Sequence, residues 1–149
     1  MAHVGLLEDN NRIAKLCATM LHYAGHQVTI YQHPLECLQA LLPVRTYSDG
    51  QSPHTATEIC TLPIDVLILD LHLPDIDGIE VLYYLHASPQ TRYMPLVFCT
   101  AAAPHEVDRA LQVAPHASFV EKPFKLQTLM NAVTKALKAQ GDREGTPLQ

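Results

Sequence analysis

The chain has 149 residues, a formal net charge of −5, 48% apolar residues and 17% charged ones. That length suits one domain with a full core and is short for two, and the absence of a basic run argues against nucleic-acid contact by this chain. No apolar stretch reaches the length of a membrane span and the N-terminus has no signal-peptide pattern, so a soluble, cytoplasmic protein with no membrane partner is expected.

In chain order, short continuous apolar runs near 3–8, 27–31, 65–70, 95–100 and 118–121 read as strands covered on both faces. Amphipathic segments separate them. Ile13, Leu16, Cys17, Met20 and Leu21 share one face of a first helix, which Gly25 suits as a stop. Leu35, Leu38, Leu41 and Leu42 mark a second helix that Pro34 can open. Ile79, Leu82 and Leu85 mark a third, Val107, Leu111 and Ala114 a fourth, and Leu126, Leu129, Met130, Val133 and Leu137 the last. Five β–α units with right-handed crossovers predict a doubly wound, five-stranded parallel sheet of order 2-1-3-4-5, a flavodoxin-like α/β fold. Residues 43–63, with Pro43, Pro53 and Pro63 and no sustained period, read as a long mobile loop between the second helix and the third strand. The domain is expected to span 1–140, with a polar tail over 141–149. Cys17, Cys37, Cys60 and Cys99 show no CxxC spacing, and buried free thiols in a reducing compartment fit them best.

The ends of the apolar runs carry the chemistry. Glu8 and Asp9 follow Val4–Leu7, Asp70 follows Val66–Leu69, Thr100 closes Leu96–Cys99, and Lys122 comes just after Phe119 and Val120. Ligands of open α/β sheets sit outside the carboxyl ends of the strands, and this order sets the ends of strands 1 and 3 side by side. Two adjacent acids and a third on the neighbouring strand make a hard oxygen site of the kind Mg²⁺ prefers. Lys122 can hold a phosphate oxygen as a point charge, and Thr100 offers a hydroxyl to another. Asp70 then qualifies as a nucleophile. Each residue has a plainer role when taken alone, Asp70 as a helix cap and Lys122-Pro123 as a turn. Their joint occurrence at successive strand ends favours a site.

The acidic pair in LLEDN, the stretch LDLHLPDIDGIE, the CTA after strand 4 and the EKPF after strand 5 resemble the response-regulator receiver domains of bacterial two-component signalling, which are CheY-like. The resemblance covers residues 3 to about 139, and the spacings from Asp70 to Thr100 and from Thr100 to Lys122 match the family as well. It implies that Asp70 accepts phosphate from a sensor histidine kinase or a phosphotransfer protein. It implies Mg²⁺ on Asp9, Asp70 and the backbone carbonyl of His72, with Glu8 acting largely through water. Thr100 and Lys122 would contact the phosphoryl group. Thr100 and Phe119 would form the switch that alters the surface of helix 4, strand 5 and helix 5, a surface through which a homodimer could form.

Several departures stand out. The span from Asp9 to Asp70 is longer than usual by the 43–63 segment. Ala114-Pro115-His116-Ala117 replaces a glycine-capped step before strand 5, so the fourth helix must close differently. Positions that tune phosphate lifetime in the family hold His72 and Ala102, which predicts slow loss of the phosphoryl group. The nine histidines are scattered, and only His72 holds a position of interest. Two other functions remain: a receiver-like interaction module that works without phosphorylation, and a haloacid-type phosphatase, disfavoured because His72 stands where such enzymes carry a second aspartate. A signalling module rather than an enzyme is expected. Whether it stands alone or belongs to a longer regulator stays open.

Overall fold

The computed structural model describes residues 2–42, 62–73 and 75–145, with side chains to residue 139. The segment 43–63, apart from Leu62 and Pro63, lies outside the described residues, as do Pro74 and the end of the tail, 146–149. The strands are β1 (His3–Leu7), β2 (Gln27–Tyr31), β3 (Val66–Leu69), β4 (Leu96–Thr100) and β5 (Ser118–Glu121). The helices are α1 (Asn11–Tyr23), α2 (Pro34–Leu41), α3 (Gly78–Ala87), α4 (Pro104–Val113) and α5 (Leu126–Gly145). The strands pair in parallel in the order β2-β1-β3-β4-β5, as the alternation of apolar runs and amphipathic segments predicts. β1 and β3 are neighbours, with Leu7 in register with Leu69.

The central strands are apolar throughout because both faces of the sheet are covered. β3 makes this explicit. Leu67 and Leu69 pack with Leu38, Ile79, Leu82 and Val107 from α2, α3 and α4. Val66 and Ile68 pack with Cys17, Leu21, Leu129 and Val133 from α1 and α5. Each fully buried leucine of these layers contributes about 1.5–3 kcal/mol relative to exposure.

The helix ends follow local chemistry. The Asn10 side chain accepts the N–H groups of Arg12 and Ile13 at 3.0 and 3.3 Å and starts α1. Gly25 follows the helix with φ +94, a conformation that L side chains rarely adopt. Pro34 opens α2, as expected, behind His33, whose ring accepts the Leu35 N–H. α4 closes without a left-handed residue: Ala114 has φ −129 and ψ 74, its N–H donates to the Ala110 carbonyl, and Ala117 donates to Ala114.

Three helical faces differ from expectation: α5 leaves Leu126 41% exposed, and α1 and α2 differ as follows. The buried stripe of α1 is Ala14, Cys17, Ala18 and Leu21, and Leu16 is 52% exposed. α2 buries Pro34, Cys37, Leu38 and Leu41 and turns Leu35 outward at 51% exposure. In both helices a small residue or proline takes the position against the core, and a larger leucine one or two places away points to water. α3 buries Ile79, Leu82 and Leu85 as predicted.

Candidate functional site

The backbone ladder continues one step beyond the strands and so sets the site. Asp70 N–H donates to the Leu7 carbonyl at 3.2 Å, which brings Asp70 beside the Glu8–Asp9 pair. Lys122 N–H donates to the Thr100 carbonyl at 3.0 Å, which brings the lysine to the end of β4. The four strand-end positions are therefore held by sheet hydrogen bonds.

The Lys122 ammonium lies between two carboxylates, 2.7 Å from Glu8 Oε2 and 3.0 Å from Asp70 Oδ2. All three are largely buried. Glu8 Oε1 accepts the Asn10 N–H at 3.2 Å, and Asp70 Oδ1 accepts the His72 N–H at 3.0 Å. Burial raises the Glu8 carboxyl above its ordinary range; the Lys122 hydrogen bond opposes the rise and the Asp70 charge adds to it. Burial also works against the charge on Lys122. Its hydrogen bonds to Glu8 and Asp70, together with their charges, outweigh that cost and hold the ammonium above its usual value.

Glu8, Asp9 and Asp70 each offer a carboxylate oxygen, and these oxygens lie within 4.8 Å of one another. Asp9 is exposed, whereas the other two are buried. Three hard oxygens around an opening to solvent fit a divalent cation such as Mg²⁺, which keeps several waters. Thr100 is fully buried, and its hydroxyl oxygen accepts the Ala102 N–H at 3.1 Å. That bond uses a lone pair, so the hydroxyl keeps its proton to donate. Phe119, on β5, is 40% exposed, at the strand beside Thr100.

The structure thus brings Glu8, Asp9, Asp70, Thr100 and Lys122 to one edge, with the His72 backbone adjoining them. Two contacts were not legible in the sequence. The His72 ring Nε2 meets Glu106 Oε2 of α4 at 2.5 Å, and the His33 ring Nε2 meets Asp75 Oδ2 at 2.8 Å. Each joins positions far apart in the chain, and no local pattern marks such a pair. Asp75 has φ +66, and the proline and glycine around it were the only local hint of an unusual backbone there. Cys17, Cys37 and Cys99 are buried free thiols, as expected, and Cys60 lies outside the described residues. Among the described residues no helix is long and apolar enough to cross a membrane.

A doubly wound parallel sheet with acids and a lysine converging at its switch point defines an α/β domain with its site where such sheets bind ligands. Residues 4–134 match the response regulator receiver domain family, and the chain belongs to that family of two-component systems. It is 33% identical over 140 residues to the transcriptional regulatory protein CreB of Escherichia coli, covering 89% of this chain and 52% of CreB. It is 26% identical over 141 residues to the uncharacterized transcriptional regulatory protein YkoG of Bacillus subtilis, covering 95% of this chain and 53% of that one. The chain spans about half the length of these curated relatives. Among solved structures, a CheY-like receiver domain protein from Methanospirillum hungatei superposes with a TM-score of 0.74 at 18% identity, covering 96% of this chain and 98% of that one. At that identity the likeness shows the fold.

Proposed function

We propose that the protein is a phosphoacceptor: Asp70 takes a phosphoryl group from the phosphohistidine of a sensor kinase or phosphotransfer protein, and the modified domain presents an altered α4–β5–α5 surface. The observation that carries this reading is the single ammonium, Lys122, held at 2.7 and 3.0 Å between the Glu8 and Asp70 carboxylates with the Thr100 hydroxyl at the adjacent strand end. A buried carboxylate fixed beside a cation and a hydroxyl donor has a nucleophile and two partners for phosphoryl oxygens.

In the reaction, an Asp70 carboxylate oxygen attacks phosphorus as the P–N bond of the donor breaks and its electron pair leaves with the imidazole. Lys122 stands ready to hold one phosphoryl oxygen, and Thr100 to donate its proton to another. Asp9, Asp70 and the His72 carbonyl would hold Mg²⁺, with Glu8 acting through water. The ion supplies positive charge that offsets repulsion between the carboxylate and the incoming phosphate. Thr100 moving toward the phosphoryl oxygens and Phe119 changing rotamer would carry the signal outward.

Incubation with acetyl phosphate and Mg²⁺ tests this, read by intact mass. The parent should gain one phosphoryl group, and Asp70→Asn, which keeps the shape and loses the nucleophile, should gain none. An adduct on the Asn variant would overturn the assignment. A parent that never gains one would point to an interaction module, and continuous release of phosphate to a phosphatase.

A further inference from the structure

We infer that His72 and Glu106 form a clasp over the outer approach to Asp70, and that Glu106, acting through the imidazole, is a positioning residue that slows both entry and loss of the phosphoryl group. The inference rests on Asp70 being the phosphoacceptor. His72 is tied at both ends. Its backbone N–H donates to Asp70 Oδ1 at 3.0 Å, and its ring Nε2 is 2.5 Å from Glu106 Oε2. Glu106 sits in the first turn of α4, where its own N–H donates to the Ala103 carbonyl at 2.9 Å. β3 and β4 are paired, so the loops that follow them flank the Asp70 carboxylate on the same edge. The ring therefore bridges from the acceptor's loop to the next helix. On the β4 side Ala101 and Ala102 carry only methyl groups, and the Ala102 N–H is already held by Thr100.

The pair lies at the mouth: the His72 side chain is 58% exposed and that of Glu106 31%. Pairs this open contribute about 0–1 kcal/mol to stability, so its main effect is to restrict the ring to one rotamer. In-line phosphoryl transfer makes that placement matter twice. Water must attack phosphorus opposite the Asp70 oxygen, forming inorganic phosphate as the P–O bond to Asp70 breaks and the carboxylate is restored. During loading from acetyl phosphate, the acetate leaves along that same line as the Asp70 oxygen attacks. A ring held over this line obstructs both events. A ring acting as a base would speed hydrolysis alone.

The test measures two rates with Mg²⁺: loading from acetyl phosphate, and loss after the donor is removed, both by intact mass. Glu106→Ala and His72→Ala should each raise both rates roughly three- to tenfold, and the double variant should be no faster than His72→Ala, since the two residues act as a unit. Glu106→Gln, which can still bond the ring, should fall between the parent and Glu106→Ala. A purely electrostatic effect of the lost charge predicts instead that Glu106→Gln equals Glu106→Ala and that Glu106→Ala acts equally in the His72→Ala background; that result overturns the inference. So does loss that changes while loading does not, or a Glu106→Ala protein with the parent's rates. A parent that takes up no phosphoryl group sinks the assignment of Asp70, and this inference with it.

Discussion

Replacing Lys122 by Met removes the only positive charge in contact with Glu8 and Asp70 among the described residues and leaves an apolar stem of similar length. At 2.7 and 3.0 Å each contact is worth roughly 6 kcal/mol before desolvation, at an effective dielectric of about 20. Desolvation of three charges offsets most of this, and removing one partner of such a buried cluster costs about 3–5 kcal/mol. The site opens at the sheet edge, so the lower end applies, about 3 kcal/mol. For a domain of this size that lowers the thermal midpoint by roughly 6–12 °C. The cost should depend on pH. Burial holds the Glu8 carboxyl above its ordinary value of 4.5 in the folded parent, and losing Lys122 removes the interactions that restrain the rise. The folded state then binds more protons than the unfolded state, so stability falls as pH rises from about 4.5 through the raised pKa. Urea titrations in chelator at pH 4.5 and pH 8 should show a gap between parent and Lys122→Met that widens at the higher pH. Glu8→Gln added to Lys122→Met should recover part of the loss. A variant as stable as the parent at pH 8, or one that Glu8→Gln does not rescue, would refute the electrostatic account.

The other predictions concern ligands, packing and reactivity. Asp9→Ala should weaken Mg²⁺ binding at least tenfold, on the order of 1.4 kcal/mol, while leaving the urea midpoint without metal near the parent's, because Asp9 is exposed; a titration with unchanged affinity would remove Asp9 from the ligand set. Gly78→Ala should destabilise by about 1–3 kcal/mol, since an added Cβ would lie 2.5 Å from Leu71 Cα and 2.7 Å from the Asp70 carbonyl oxygen, both backbone; a neutral substitution in a urea melt would contradict this packing. Burial pushes the Cys17 thiol up to about 11 and those of Cys37 and Cys99 up to about 12. Peptide mapping after alkylation at pH 8 should find all three unlabelled in the native protein and labelled in urea.

The parallel sheet and its edge were legible because the signal is local. An apolar run ended by Asp70 or Glu8 marks both a strand and the end that carries chemistry, and the alternation of strands with amphipathic helices marks a doubly wound parallel sheet. The helix faces were less legible. Ala14 and Ala18 lie against the core beside the expected Cys17 because small side chains allow close packing, and a reading weighted by size prefers Leu16 instead. Lys122 was read as a partner for phosphate alone. Its contacts with Glu8 and Asp70 depend on where β1, β3 and β5 end in space. The Glu106 contact was missed for the same reason, since nothing near Glu106 in the chain distinguishes it from an ordinary first-turn acid.

The bond from Lys122 to Glu8 also has a meaning in time. It joins the end of the last strand to the end of the first, across two strands that lie between them in the sheet. A ribosome delivers Glu8, Asp9 and Asp70 long before Lys122. Until the lysine arrives, three acids must share one edge without their counter-ion, and closing so distant a contact is slow in any chain. On the reading of Asp70 as the phosphoacceptor, the centre is complete only when both ends of the domain have been made and joined.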